Sequence, residues 1–128
     1  YVEDDDNYLA YNRVITNKIP TYVCLGNLVN SRIGLLTVDE ISLAGGSPSE
    51  NKSFYLYNEK ITGAYYTMSG AMTRYSNYYP FAVDANGAIT SNINGTLLRS
   101  IRPVITIIKT AKVTGTGTSE DPYQLIMK

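Results

Sequence analysis

The side chains best equipped for chemistry in this 128-residue chain are its carboxylates. Glu3, Asp4, Asp5 and Asp6 lie beside Asn7 near the first residue, while Asp39, Glu40, Glu50, Glu59, Asp84, Glu120 and Asp121 are spread along the rest. Two carboxylates facing one another can hydrolyse a glycosidic bond, and a cluster of them can hold calcium. The 3–7 run has neither the ligand spacing nor the glycine of an EF-hand loop, so it reads as a solvated lead-in. Five of the others already have structural tasks: Asp39 and Glu40 at a helix start, Asp84 in a hairpin, Glu120 and Asp121 in a turn. Histidine is absent, which removes the usual general base and the commonest metal ligand. No Gly-rich phosphate loop or nucleophile elbow occurs. Cys24, the sole cysteine, sits in Tyr22-Val23-Cys24-Leu25 with no imidazole in the chain to make it a thiolate, and reads as a buried structural thiol. The expectation is a chain that is not an enzyme, with no catalytic residue, metal site or cofactor.

Binding suits the composition better. Twelve Tyr against two Phe and no Trp means that nearly every aromatic ring carries a hydroxyl, which a purely apolar core does not demand. The segment from Tyr65 to Tyr79 combines Tyr with Ser, Thr, Asn and Gly. That palette serves recognition surfaces, because Tyr offers large contact area at low entropic cost. Tyr is equally a favoured strand residue, so the same segment fits half-buried β architecture. Under the first reading the ligand- or partner-binding residues are Tyr65, Arg74, Tyr75, Asn77 and Tyr78. Arg102, in an apolar run, is expected to be partly buried and to tie loops to the core with its five donors. Tyr123 is expected to plug the core.

Length and charge narrow the class. At 44% hydrophobic the chain is long enough to bury one core and too short for two. Eleven basic residues balance eleven acidic ones, so nothing draws the chain toward nucleic acid or an anionic membrane. No apolar run approaches the roughly 20 residues of a membrane helix. A chain that opens on Tyr1 without an initiator Met reads as a processed product or excised fragment. One Cys permits no internal disulfide, so stability must come from the core.

The elements that would position these residues are mostly short. Residues 1–8 are read as the lead-in and 9–128 as a single domain. Tyr8 to Val29, punctuated by Pro20 and Gly26, suggests short strands joined by turns. Arg32-Ile33-Gly34-Leu35-Leu36 is a compact apolar run. Thr37-Val38-Asp39-Glu40 is a capping box, with Leu36 and Ile41 placed for a hydrophobic staple, and Gly45-Gly46 with Pro48 stops the helix it starts. Phe54-Tyr55-Leu56-Tyr57 reads as a strand. Tyr78–Val83 and Gly87–Thr90 flank Asp84-Ala85-Asn86-Gly87, where Asn-Gly supplies the positive φ angles of a tight hairpin. Asn94-Gly95 marks another turn. The β-branched run Ile101–Ile108 is expected to be the central strand, with Pro103 marking an edge or a bulge. Lys112-Val113 and Tyr123–Ile126 form a closing hairpin around Gly115–Asp121.

Four of these blocks, in order, resemble a domain common at the carboxy-terminal end of surface proteins of Gram-positive and gut Firmicutes bacteria. They are Arg32–Glu40, Tyr66-Thr67-Met68-Ser69-Gly70, Val83–Gly87 and Ile101-Arg102-Pro103-Val104-Ile105, followed by the Gly115–Tyr123 ending, and they span roughly residues 30 to 125. The family usually has Trp at Tyr66, Pro at Gly70 and Gly-Val at Ser100-Ile101. It is similar in turn to the C-type lectin-like fold of formylglycine-generating enzymes and of the variable proteins of diversity-generating retroelements. The enzymatic branch requires a cysteine pair, and the calcium-dependent sugar-binding branch a Glu-Pro-Asn or Gln-Pro-Asp string; this chain has neither. The resemblance therefore implies an α+β, strand-dominated antiparallel single domain with one or two short helices, C-type lectin-like, located outside the cell or on its surface. Its implied role is recognition or adhesion, with a protein or glycan on a host or neighbouring cell as partner. The alternative is a structural subunit or tip domain of a pilus-like filament, whose partners are identical subunits.

Overall fold

The computed structural model describes residues 10–23, 31, 33–74, 77–105, 107, 110–118 and 120–126. The lead-in, Cys24, Arg32 and Tyr75 lie outside the described residues. Among those described, the chain forms a small strand-rich α+β domain with two short helices.

The first helix is a π-helix over Tyr11–Thr16, where strands were expected. Ala10 and Val14 are buried four residues apart, and Tyr11 and Ile15 pack beside them, so the apolar positions keep a helical spacing. Pro20 and Gly26 punctuate the chain only after that face is complete. The Asn17 amide donates to the Asn12 carbonyl five residues back at 2.8 Å, and Lys18, at φ 56°, closes the helix with Ile19 donating to the Arg13 carbonyl.

Helix α1, Val38–Leu43, is framed as the sequence dictates. Thr37 Oγ1 accepts from the Glu40 amide at 3.1 Å, and Glu40 Oε2 accepts from the Thr37 amide at 2.7 Å. At the other end Gly45, at φ 97°, and Gly46 donate to the carbonyls of Ser42 and Ile41, the Schellman pattern. A Cβ on Gly46 would come within 2.6 Å of Ile41 Cγ2, so the position tolerates no side chain.

The main sheet has four strands in the order β4-β3-β2-β5: β2 is Tyr65–Arg74, β3 Asn77–Val83, β4 Ile89–Thr90 and β5 Ser100–Ile101. Strands β2, β3 and β4 are antiparallel, but β5 runs parallel to β2, so the sheet is mixed rather than wholly antiparallel. Two smaller pairings complete the fold: β1, Gly34–Leu35, with β6, Pro103–Val104; and β7, Val113–Thr114, with β8, Gln124–Leu125. The core gathers α1 against the β2–β3 hairpin, with Phe81, Ile41, Val38 and Val83 wholly enclosed.

Several expectations are corrected. The Ile101–Ile108 run is not the central strand; β2 and β3 are. Ile101, Ile105 and Ile107 are exposed, because the chain leaves β2 at Arg102 and pairs with β1 instead, a switch helped by Pro103 having no amide to satisfy. Phe54–Tyr57 is a turn, with the Tyr57 amide donating to the Phe54 carbonyl at 2.9 Å; Phe54 is buried in the core, and Leu56 and Tyr57 pack against it partly buried. At the β3–β4 connection only Gly87, at φ 79°, has positive φ. Asp84 Oδ1 takes the amides of Asn86 and Ala88, making the turn longer than a two-residue Asn-Gly hairpin. The closing hairpin forms, but Tyr123 is exposed and its ring lies over Gly117 instead of plugging the core.

Between the pairs Tyr66–Ala82 and Gly70–Pro80, strand β2 carries three residues where β3 has one, and this bulge reaches α1. Thr67 Oγ1 donates to the Phe81 carbonyl at 3.0 Å, replacing a lost ladder bond, while Ser69 Oγ accepts from the Val38 amide at 3.0 Å. The first and third amides of α1 are thus satisfied by Ser69 and Thr37. Thr37→Ala should cost about 1 kcal/mol. Ser69→Ala, which strands a buried amide, should cost about 1–3 kcal/mol. Urea unfolding at unchanged slope measures both, and an unaltered midpoint for Ser69→Ala would refute the tie between bulge and helix.

Asp39 fastens the π-helix to α1. Its carboxylate receives Arg13 Nε at 2.9 Å and Nη2 at 2.7 Å, and the Thr21 amide at 2.9 Å. Burial alone would raise the carboxyl; the bonds from Arg13 and Thr21 outweigh it and hold the group below the usual carboxylate range. A depressed folded value means that the stabilisation is complete above the unfolded value of roughly 4 and is lost as pH falls through the lower folded one. Stability measured from pH 6 to pH 2 should therefore drop on the acid side, and Asp39→Asn should be weaker at neutral pH with a flatter acid limb.

Candidate functional site

Of the five residues expected to bind together, the four that are described do not share one surface. Tyr65 opens β2 opposite Val83, whereas Arg74 closes it opposite Asn77, nine steps along a strand that rises roughly 3.3 Å at each. Tyr65 is 4% exposed and belongs to the core, so it takes no part in an open recognition surface. Its hydroxyl accepts from Arg102 Nη1 at 3.4 Å, and the guanidinium carbon stands 5.7 Å above the ring centroid. Arg102 Nη1 also donates to the Leu56 carbonyl. Arg102 thus ties the 54–57 turn to β2 from the point where the chain changes sheets, the role expected of it. Tyr78 is 47% exposed at the far end of the hairpin, and burial of part of its ring raises its hydroxyl above the ordinary value. Asn77 is half-buried beside it. Tyr75 lies outside the described residues.

Tyr66, where the resembling family has Trp, is spent on architecture: its hydroxyl lies 2.8 Å from the carbonyls of both Asn94 and Leu97 and shares one proton between them. That fixes the Asn94-Gly95 turn against β2.

A surface the sequence did not single out is organised by α1. A groove of about 540 Å³ is lined by Tyr22, Leu36, Glu40, Leu43, Tyr55 and Leu56. Leu36, Glu40 and Leu43 come from α1 and the residues leading into it. Tyr22 follows Thr21, whose amide is held by Asp39 of the same helix, and the Tyr55 amide donates to the carbonyl of Ala44, the helix C-cap, at 3.1 Å. Both rings are therefore set on backbone anchored to α1, yet they are 77% and 79% exposed. Glu40 is held by its capping bonds through Oε2, which also accepts from Thr37 Oγ1 at 2.9 Å, and those bonds do not use Oε1. The signal in the sequence is slight: each ring sits in a turn, after Pro20-Thr21 and after Ser53-Phe54, with no periodicity to mark it.

Among the described residues, no three His, Cys, Asp or Glu side chains gather where they could hold a metal ion. None of the described helices is long and apolar enough to cross a membrane. No family model, curated protein or solved structure matches the chain.

Arg102→Ala should destabilise by about 2 kcal/mol, through the unpaired Leu56 carbonyl and lost packing on Tyr65, and Tyr65→Ala by about 3 kcal/mol as a buried aromatic. Tyr78→Ala should cost less than either. Equal unfolding midpoints for all three would contradict this division between core and surface.

Proposed function

We propose that this domain is a non-catalytic recognition or adhesion module of a bacterial cell surface, on a scaffold of the C-type lectin-like kind. The observation that carries the reading is the placement of Tyr22 and Tyr55. Two large rings are held more than three-quarters exposed on backbone fixed to a helix whose inner face is buried, where packing gives them no reason to be. Rigid, amphipathic aromatic side chains on a firm base are what contact hot spots require. The cell-surface setting is supported by the ordered resemblance from Arg32 to Tyr123. The Thr67-Met68-Ser69 segment of that resemblance has a physical reason to exist, since its two hydroxyls seat the bulge and the helix.

A second reading, a filament or pilus-like subunit, is favoured by a different observation. Leu97, Leu98, Ile101, Ile105 and Ile107 are all exposed in the carboxy-terminal third, Leu98 at 94%, and β5 is an edge strand only two residues long. Such an edge with aliphatic side chains can pair with another copy.

Retention of fluorescently labelled domain by intact Gram-positive cells and by cultured epithelial cells separates the two. Recognition predicts saturable retention on at least one, at least tenfold weaker for the Tyr22→Ala/Tyr55→Ala double variant with its melting temperature unchanged. No saturable retention on either overturns it. Solution mass that climbs with concentration and reverts in Leu98→Asp would establish the assembly reading instead.

A further inference from the structure

We infer that the closing hairpin holds a self-cleavage site: the Asp121–Pro122 peptide bond, broken in acid by the Asp121 carboxyl. The chain has one Asp-Pro pair, and the fold holds the carbonyl of that bond from two sides. The Asp121 carbonyl oxygen accepts from the Gly117 amide at 2.9 Å and from the Thr116 amide at 3.1 Å. Two backbone amides on one carbonyl oxygen stabilise negative charge that develops there, as the oxyanion holes of acyl transfer do. The side chain is turned toward the same place, since Asp121 Oδ2 accepts from the Thr116 amide at 2.9 Å. The Asp121 amide donates to Thr118 Oγ1 at 3.0 Å, which fixes the residue from its own nitrogen as well. Asp84 lacks this combination: its carbonyl accepts from the Gly87 amide, but the bond that follows leads to Ala85, not to proline.

The step uses reach that the covalent structure already provides. A carboxyl oxygen of Asp121 attacks the carbonyl carbon of its own residue, closing a five-membered ring, and the electron pair of the C=O bond moves onto the oxygen held by Thr116 and Gly117. As the tetrahedral carbon collapses, the C–N bond to Pro122 breaks and the proton of the carboxylic acid passes to the nitrogen, which leaves as a secondary amine. Pro122 suits the departure because its nitrogen carries no amide hydrogen and becomes a basic ring amine. The ring left on Asp121 is a cyclic anhydride. One water opens it to two carboxyls, so the sum is hydrolysis of one peptide bond with no other reactant. Because the step consumes the acid form, it quickens as pH falls. None of residues 113–119, which supply the amides around the bond, carries a charge; the titratable side chains that share the hairpin are Lys112, Glu120 and Tyr123. After the cut, β8 is held by its two pairs with β7 and by the Ile126 amide on the Lys112 carbonyl at 3.0 Å. A two-stranded pairing is marginal on its own, so the cut turns a covalent end of the domain into one that can be shed.

The test is intact-mass spectrometry of the purified chain held at the lowest pH at which circular dichroism shows the native fold, beside the same chain in urea at that pH and the native chain at neutral pH. The expected result is two fragments whose masses sum to the chain plus one water, the smaller beginning at Pro122. They should form at least tenfold faster in the native chain than in urea, and more slowly at neutral pH. Asp121→Glu keeps a carboxyl before the proline but enlarges the ring to six members, and should slow the cut at least tenfold. Gly117→Ala should bring the native rate down toward the rate in urea, because Gly117 sits at φ 81° and a Cβ there would stand 2.5 Å from the Tyr123 ring, so its amide must move off the carbonyl. Absence of the Pro122 fragment, a rate in urea equal to or above the native one, or a rate indifferent to Asp121→Glu would overturn the site.

Discussion

The surplus of chain in β2 is the constraint on which the arrangement depends. Between Tyr66 and Gly70 the strand has more residues than its partner, and the extra length has to leave the ladder. It leaves toward α1: Met68 donates to the Leu36 carbonyl at 3.0 Å, Ser69 accepts from Val38, and Thr67 turns inward to serve the Phe81 carbonyl. One irregularity thus places the helix on the sheet, and placing the helix places everything attached to it. The π-helix follows through Arg13 and Asp39, and the two exposed tyrosines follow through Thr21 and Ala44.

Burial is distributed unevenly along the chain as a result. Among the described residues the enclosed apolar side chains run from Ala10 to Ile89, while beyond Ile89 Val104 is the one hydrophobic side chain that packs against them, and that partly. The last third is attached by short pairings, by the Tyr66 hydroxyl at the 94–97 turn and by a long side chain of its own, Arg102. Its guanidinium meets a carbonyl of one loop and both the ring and the hydroxyl of Tyr65. An arginine suits this junction, because a planar fork can address several acceptors from one position while its stem lies along apolar surface.

Legibility in the sequence followed the range of the interactions. The start and stop of α1 could be read residue by residue because the capping box and the Gly45-Gly46 exit are local chemistry. The same holds for the Gly115–Asp121 turn, where Thr116 and Gly117 donate to Asp121. The Ile101–Ile108 run misled because β-branched composition reports fitness for a strand, not which strand is enclosed. Burial went to β2 and β3, whose Tyr, Thr and Pro looked more polar. The grouping of Tyr65 with Tyr78 failed for a related reason: proximity in sequence within a strand is separation in space, and one end of the hairpin is core while the other is surface. The Tyr22, Glu40 and Tyr55 groove was hidden because its parts converge only through the docking of α1. Glu40 had in any case been accounted for as a cap.

The loop after α1 bears on how the chain assembles. Ser47 bridges Ala88, its carbonyl accepts from Ile89 at 2.8 Å, and Asn51 donates to the Asn86 carbonyl at 3.1 Å. Gly87 leaves room for this: a Cβ there would stand 2.0 Å from the Asn51 carbonyl oxygen. The segment can settle only against a hairpin made about forty residues later, and closing so long a loop costs entropy before any contact repays it. Helix α1 carries its own start and stop signals and can flicker into shape early, but its surroundings become permanent only when the β3–β4 turn arrives. During synthesis the contacts of the 47–51 loop therefore cannot form before residues 84–89 exist, so the amino-terminal half of the domain cannot be complete ahead of that turn.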